Sequence, residues 1–225
     1  MAPENTLAAF RKGAEYGYRM FECDAKLSED DVVFLMHDAT LNRTTNGHGV
    51  GGEQSWLQLS QLDAGSWHSR HFSGEPLPTL ANLANYCIRN RYFLNIEIKP
   101  TPGVEFKTGE VVAQQAALLW QHEEVPPLLT SFQVESLKGA QQVAPQLPRG
   151  LLLHNLPDAW QFLAKHQAGC AATNLWAIAV RLAEPLLKIP PEKSLKVVAL
   201  LRAAKEEPLV EPRPHLFLIQ HQVSV

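Results

Sequence analysis

The segment MFECDAKL, residues 20–27, decides the fold class because it places charged side chains inside an otherwise apolar, strand-like run. Side chains two residues apart on a strand project from the same face, so Glu22 and Asp24 share one face while Cys23 points to the other. Helices cover both faces of the sheet in an α/β protein, and its central strands are therefore nearly all apolar. Carboxylates in such a strand are costly unless they are paired or bind a cation. The segment therefore predicts a strand that carries part of a functional site.

Two further strand-like runs end in polar residues of complementary chemistry. YFLNIEIK, residues 92–99, carries Glu97 and Lys99 at the same two-residue spacing. VVFLMHD, residues 32–38, ends in His37 followed by an aspartate. In α/β barrels, functional residues gather where the strands end. We therefore expect the three strands to bring their polar residues into one metal and acid/base site.

Strand-like segments alternate along the chain with helix-like segments, a pattern that predicts βαβ units and a parallel sheet. The other segments are helical at 4–17, 77–90, 108–122, 133–144 and 156–167, and strand-like at 128–132 and 149–154. With possible strands at 170–176 and 195–200, seven strands are predicted, whereas a closed barrel needs eight. We expect one domain over residues 1–225 with the α/β, (β/α)₈ TIM-type barrel fold, incomplete at its first strand and atypical at its last strands.

The composition is that of an ordinary globular protein and excludes several classes of partner. Of the 225 residues, 45% are hydrophobic and 19% are charged, and the formal net charge is −3 without a basic run. Nucleic acid and anionic membrane surfaces are therefore not expected as partners. No apolar stretch reaches the roughly 18 residues of a membrane span, and the first residues do not resemble a secretory signal. The three cysteines are widely spaced, which favours reduced thiols and a cytoplasmic location.

Three carboxylates from two strands form a set of hard oxygen ligands. Glu22, Asp24 and Glu97 suit Mg²⁺ or Ca²⁺, with water and substrate oxygens completing the coordination. Lys99, on the same face as Glu97, can pair with it or contact a phosphate oxygen as a point charge. His37 is a candidate general acid or base near neutral pH. A small-molecule phosphoester substrate would use all of these groups.

Each of these residues also has a simpler interpretation when it is considered alone. Glu22 and Asp24 could belong to a solvated strand face, and Glu97 with Lys99 could be a structural ion pair. His37 could be a polar residue without a chemical role. The coincidence of all of them at strand ends of one α/β fold favours a site.

A polar, glycine-rich stretch, NRTTNGHGVGGEQS at residues 42–55, is long enough to be a functional loop. Arg43 and the two threonines after it form either an ordinary polar turn or a lid that contacts phosphate or glycerol. We take Arg43 as a candidate substrate-binding residue.

These stretches together resemble the glycerophosphodiester phosphodiesterase family, in particular its bacterial cytosolic type. The resemblance runs in collinear order over roughly residues 2–170, which is more specific than any single motif. The matching stretches are PENTLAAF (3–10), FECDAKLSED (21–30), FLMHDATLNRTTNGHG (34–49), LDAGSW (62–67), LPTL (77–80), NIEIKP (95–100), LLTSF (128–132) and PRGLLL (148–153). The resemblance implies a (β/α)₈ barrel that hydrolyses glycerophosphodiesters to glycerol 3-phosphate and an alcohol with a divalent cation. By that resemblance, the metal ligands would be Glu22, Asp24 and Glu97.

The resemblance also implies roles for three other residues. His37 would be one of two catalytic histidines. Lys99 would lie beside the metal and the phosphate. Glu4, in the Glu-Asn-Thr element of the family, would support the site from the start of the first helix.

The chain departs from the family pattern at both ends. Family members carry a first strand that ends in His-Arg-Gly shortly before the Pro-Glu-Asn-Thr element, whereas here Met1 stands directly before Ala2 and Pro3. In the family, that strand supplies the other catalytic histidine and a phosphate-binding arginine. At the other end of the chain, residues 175–225 lack the closing motifs of the family. We expect that the chain starts at an internal methionine and runs out of frame after about residue 174. An in-frame His-Arg-Gly upstream of Met1 in the genomic sequence would test this.

Three functions are therefore open from the sequence. The first is an active glycerophosphodiester phosphodiesterase. The second is a catalytically impaired or inactive remnant of that family. The third is a different metal-dependent barrel, such as a phosphoinositide-type phospholipase or an enolate-forming lyase, against which the full set of matching stretches argues.

Overall fold

The computed structural model describes residues 1–153 and 197–201, and for Leu153 and residues 197–201 it describes the backbone alone. The helices are α1 (Leu7–Glu15), α2 (Trp56–Leu59), α3 (Leu80–Asn90), α4 (Glu105–Leu119) and α5 (Val134–Val143). The strands are β1 (Met20–Leu27), β2 (Val33–Leu35), β3 (Phe93–Ile98), β4 (Leu128–Ser131), β5 (Arg149–Leu153) and β6 (Val197–Leu201). The helix predicted at 156–167 and the strand predicted at 170–176 lie outside the described residues.

The six strands form one sheet in the order β2-β1-β3-β4-β5-β6. Strands β1, β3, β4 and β5 run parallel, and α3, α4 and α5 precede β3, β4 and β5 along the chain. This arrangement agrees with the predicted βαβ alternation. The strand predicted near 195–200 is present as β6, but it pairs antiparallel with β5.

The segment 32–38 forms a strand, as predicted, but this strand is not one of the parallel strands of the sheet. Its central residues form β2, which pairs antiparallel with β1. The reason is the short turn at 28–32, because a crossover between parallel strands needs about a dozen residues or more. The hairpin returns the chain alongside β1, where Met36 N donates to Asp24 O at 3.0 Å. His37 therefore leaves β2 next to the acidic part of β1.

The two faces of the sheet differ in polarity, as the two-residue alternation of the strands predicts. One face is apolar and packs under the helices. Its buried side chains include Cys23, Ala25, Ile96, Ile98 and Leu129. The opposite face of β1 and β3 carries the polar residues of both strands. Cys23 thus lies on the face away from the carboxylates.

Two glycines allow α4 and α5 to lie in close contact over the sheet. Gly109 of α4 lies against the backbone of Ser136, and Gly139 of α5 lies against the backbone of Phe106. A Cβ atom at either glycine would clash with the facing backbone, so only glycine permits this approach. The pair therefore sets the close distance between α4 and α5.

The connection from β2 to α3 has a small core of its own. Its buried side chains are Met36, Leu41, Leu59, Ala64 and Leu77, which pack with Phe34 of β2. Thr45, within the polar stretch 42–55, is 7% exposed, and its Oγ1 donates to Leu41 O at 2.6 Å. This stretch is therefore packed onto the rest of the connection. Among the helices within the described ranges, none has the length and apolar character of a bilayer-spanning segment.

Candidate metal and catalytic site

The register of β1 and β3 sets the acidic residues of the two strands side by side. Asp24 is level with Glu97, and Glu22 is level with Asn95. One carboxylate oxygen from each of Glu22, Asp24 and Glu97 lies within 4.8 Å of the other two. Asp24 is 6% exposed and Glu97 is 1% exposed, so neither residue belongs to a solvated strand face. The structure brings together the three carboxylates that the sequence singled out.

Asp24 is held from the other side by Asn5, which lies just before α1. Asn5 Nδ2 donates to Asp24 Oδ2 at 2.8 Å, and Asp24 N donates to Asn5 Oδ1 at 3.0 Å. Asn5 has φ of 53°, a left-handed conformation that asparagine tolerates better than most residues. Thr6 then caps α1 by accepting a hydrogen bond from Ala9 N. The start of α1 thus positions one of the three carboxylates.

Lys99 bridges the carboxylates of both strands. Its Nζ lies 3.4 Å from Glu97 Oε1 and 3.6 Å from Asp24 Oδ1, and its side chain is 18% exposed. The ion pair with Glu97 that the sequence allowed is present, and it extends across to β1. This ammonium group partly offsets the charge of the cluster and keeps some access to solvent.

The residues present fit a divalent cation. Asp24 Oδ1 is buried and accepts no hydrogen bond among the described residues, because Lys99 Nζ stays at an ion-pair distance of 3.6 Å from it. A buried oxygen that no hydrogen bond satisfies is costly. Glu22, Asp24 and Glu97 together supply hard oxygen donors, and Mg²⁺ and Ca²⁺ prefer such donors with water or substrate at the remaining positions. The unsatisfied oxygen and the donor set both point to a cation among these three residues.

His37 is oriented by the carboxylate that follows it. His37 Nδ1 lies 2.8 Å from Asp38 Oδ1, and the His37 side chain is 40% exposed. An ionised carboxylate can only accept hydrogen bonds, so Nδ1 carries the proton of this contact. The other ring nitrogen, Nε2, is then the atom available to exchange a proton with a substrate.

A forked network around Arg43 keeps that carboxylate ionised. Arg43 Nε donates to Asp38 Oδ2 at 2.7 Å, and Arg43 Nη1 and Nη2 donate to the two Glu4 oxygens at 2.9 and 2.6 Å. The hydrogen bonds from Arg43, and to a lesser degree the one from His37, hold the pKa of Asp38 well below its usual range. The same bonds to Asp38 and Glu4 raise the pKa of Arg43. Glu4 and Arg43, which the sequence suggested separately, thus act together on Asp38.

The carboxylate cluster and the Arg43 network are joined through Asn5, one of two residues that the sequence reasoning missed. Glu4 of the network and Asn5 of the cluster are consecutive, so both are fixed by one turn of chain. Lys26 is the other missed residue. It is 2% exposed, and burial, followed by the charge of Lys99, lowers its pKa to about 8. Its position two residues after Asp24 could have predicted its place in the site, since residues with this spacing lie on the same face of a strand.

Known proteins identify the family to which this arrangement belongs. The model of the glycerophosphoryl diester phosphodiesterase family matches residues 1–206. The chain belongs to this family. A glycerophosphodiester phosphodiesterase from Caldanaerobacter subterraneus subsp. tengcongensis is 33% identical over 171 residues, which is 74% of this chain and 68% of the relative. The chain thus matches about two thirds of that relative's length.

Solved structures of similar proteins agree with the family assignment. A phosphodiesterase from Oleispira antarctica, in complex with the product sn-glycerol-3-phosphate, is 32% identical with a TM-score of 0.66, covering 74% of this chain and 67% of that one. A glycerophosphodiester phosphodiesterase from Agrobacterium tumefaciens is 32% identical with a TM-score of 0.57, covering 66% of this chain and 61% of that one. The predicted TIM-type barrel class is confirmed by these neighbours. Within the described residues, the parallel strands that such a barrel contains are β1, β3, β4 and β5.

Proposed function

We propose that this chain hydrolyses glycerophosphodiesters to glycerol 3-phosphate and an alcohol in a reaction that depends on a divalent cation. The observation that carries the proposal is the cluster of three carboxylate oxygens within 4.8 Å of one another, on a member of this family. The complex of the Oleispira antarctica phosphodiesterase with sn-glycerol-3-phosphate supports the substrate class.

The cluster accounts for the binding of the phosphodiester. Glu22, Asp24 and Glu97 would hold Mg²⁺ or Ca²⁺, which supplies positive charge for the phosphate oxygens when it is bound. Lys99 lies 3.4–3.6 Å from two of these carboxylates and adds an ammonium group at the same place. An ammonium group beside a phosphate stabilises the charge that develops on its oxygens during the reaction.

The Arg43 network accounts for the proton transfer. Asp38 holds Nδ1 of His37 as a donor, so Nε2 exchanges protons with the substrate. His37 would supply one of the two proton transfers: either the neutral ring takes the proton of the attacking hydroxyl group, or the protonated ring gives a proton to the alcohol that leaves. A positioned acid/base group of this kind contributes about 10²–10⁴-fold to a rate.

A second candidate is an impaired or inactive member of the family that retains the cation site. Within residues 1–153, His37 is the one histidine that joins the Arg43 network. A reaction that needs a base and an acid at the same time would therefore depend on a group outside the described residues. This candidate predicts cation binding without turnover.

The test is hydrolysis of glycerophosphocholine by purified chain, with glycerol 3-phosphate measured by a coupled dehydrogenase. We expect turnover with Mg²⁺ or Ca²⁺ and none with excess chelator. Glu97→Gln keeps the size of the side chain and removes its charge. It should lower the rate by more than about 100-fold, because the loss of a residue that only supports a metal ligand already lowers activity by up to about 100-fold. Glu124→Gln, at an exposed position, is the matched control and should match the wild type.

Absence of turnover by folded protein would overturn the active-enzyme proposal and support the second candidate. Turnover that is equal with and without chelator would overturn the role of the cation. A Glu97→Gln variant as active as Glu124→Gln would show that the reaction takes place elsewhere.

A further inference from the structure

Lys26 is a buried cation directly beside the site. It follows Asp24 by two residues on β1, so it shares the polar face, and it is 2% exposed. The register places Ala25 level with Ile98. Lys26 therefore lies beside Lys99, two residues further along the chain than Asp24 and Glu97. Two lysines thus stand next to a pair of carboxylates on the same face.

The Lys26 ammonium group forms a hydrogen bond with the backbone of Lys99. Lys26 Nζ donates to the carbonyl oxygen of Lys99 at 3.2 Å. Lys99 N in turn donates to Ala25 O at 2.9 Å. Both backbone polar groups of Lys99 are therefore held by consecutive residues of β1. Pro100 follows and has no N–H to continue the sheet, so this is the point at which β3 ends.

Stability alone does not explain a lysine at this position. Burial of an ammonium group destabilises the fold, and an apolar side chain of similar size at such a position is often neutral or stabilising. Lys26 forms no ion pair with any residue in the described part of the chain, so its one direct partner there is a neutral carbonyl oxygen. The ammonium group of Lys99, by contrast, lies within ion-pair distance of Asp24 and Glu97.

We propose that Lys26 is a positioning residue that acts through Lys99. By fixing the backbone of Lys99 where β3 ends, it aims the Lys99 side chain back between the carboxylates of the cluster. The role in hydrolysis rests on the function proposed above, whereas the positioning of Lys99 does not.

Kinetic measurements test the role in hydrolysis. Lys26→Met should lower kcat by about 10-fold, the lower range for groups that orient a metal site, while Lys26→Arg, which keeps a charged donor, should recover most of the loss. Because Lys26 acts through Lys99, Lys26→Met should cause no further loss when Lys99→Met is already present. A loss of the same size in both backgrounds would overturn the proposal.

Acetylation of lysines, followed by mass spectrometry of peptides, tests the positioning without any turnover. Lys99 should be acetylated several-fold faster in Lys26→Met than in the wild type and Lys26→Arg, while the exposed Lys138 should react equally in all three. If Lys26→Met does not fold, Lys26→Gln, whose shorter side chain does not reach the carbonyl, takes its place. Equal reactivity of Lys99 in every folded variant would overturn the proposal, and an inactive wild type would refute the proposed function alone.

Discussion

The contribution of the Arg43 network to the stability of the fold can be measured without substrate. Arg43 donates four hydrogen bonds, two to Glu4 and two to Asp38, at 2.6–2.9 Å. Arg43→Met keeps the apolar stem of the side chain and removes every one of these donors. The variant leaves two carboxylates facing each other without the cation between them.

The expected loss follows from the burial of the three partners. A hydrogen bond to a charged group contributes about 1.5–3 kcal/mol when it is shielded from water, whereas an exposed ion pair contributes about 0–1 kcal/mol. The side chains of Glu4 and Asp38 are 15% and 27% exposed, but that of Arg43 is 40% exposed. Solvent reaches the Arg43 side chain, so each hydrogen bond contributes much less free energy than a fully shielded one would. We expect Arg43→Met to lower the free energy of unfolding by about 2 kcal/mol.

The loss should depend on pH in a defined direction. The Arg43 hydrogen bonds hold the pKa of Asp38 below its usual range in the folded chain. A carboxyl group with a depressed pKa stabilises the fold above its unfolded pKa of about 3.9, and this contribution disappears as the pH falls through the folded value. The difference between wild type and Arg43→Met should therefore be full at pH 7 and smaller below about pH 4.

Urea unfolding at pH 7 and at pH 3 measures both quantities. Arg89→Met, at an exposed position on α3, is the control for a surface arginine and should stay within about 0.5 kcal/mol of the wild type. If Arg43→Met lowers the free energy of unfolding no more than Arg89→Met does, the Arg43 network does not stabilise the fold. A loss of the same size at both pH values would refute the coupling to Asp38.

Three further predictions concern other contacts. Asn5→Ala removes a donor to the Asp24 carboxylate and the acceptor of Asp24 N, so urea unfolding should show a loss of about 2–4 kcal/mol; a loss under about 0.5 kcal/mol would contradict the contact. His37→Gln should lower kcat by about 10²–10⁴-fold without changing the melting temperature, whereas His71→Gln should leave kcat unchanged, and equal kcat values would exclude His37 from the reaction. Gly109→Ala places a methyl group against the backbone of α5 and should cost about 1–3 kcal/mol by the same unfolding measurement, and an unchanged stability would mean that α4 and α5 separate easily.

The paired carboxylates could be predicted from the sequence because they depend on local geometry. Side chains alternate along a strand, so Glu22 and Asp24 share a face wherever that strand lies. The alternation of strand and helix segments then places β3 parallel to β1, since the connection between them is long enough for a crossover. The register then places Asp24 beside Glu97, so the carboxylates of the two strands meet as the sequence predicted.

The contacts that join distant parts of the chain could not be predicted in the same way. Asn5 reaches Asp24 because it adopts a left-handed conformation before α1, and no periodic pattern reports such a contact. The orientation of β2 was missed because a hairpin strand and a parallel strand have the same apolar composition. Lys26 was missed because a charged residue near the end of a strand is usually solvated, whereas here it is buried.

The central claim is that Glu22, Asp24 and Glu97 hold one divalent cation. Calorimetric titration of Mg²⁺ and of Ca²⁺ into metal-free chain tests it directly, with Glu97→Gln and the surface control Glu124→Gln beside the wild type. We predict one ion per wild-type and control chain for at least one of the two cations, and an affinity lower by about 100-fold or more in Glu97→Gln. Equal binding by all three proteins, or no binding of either cation by the wild type, would contradict the claim.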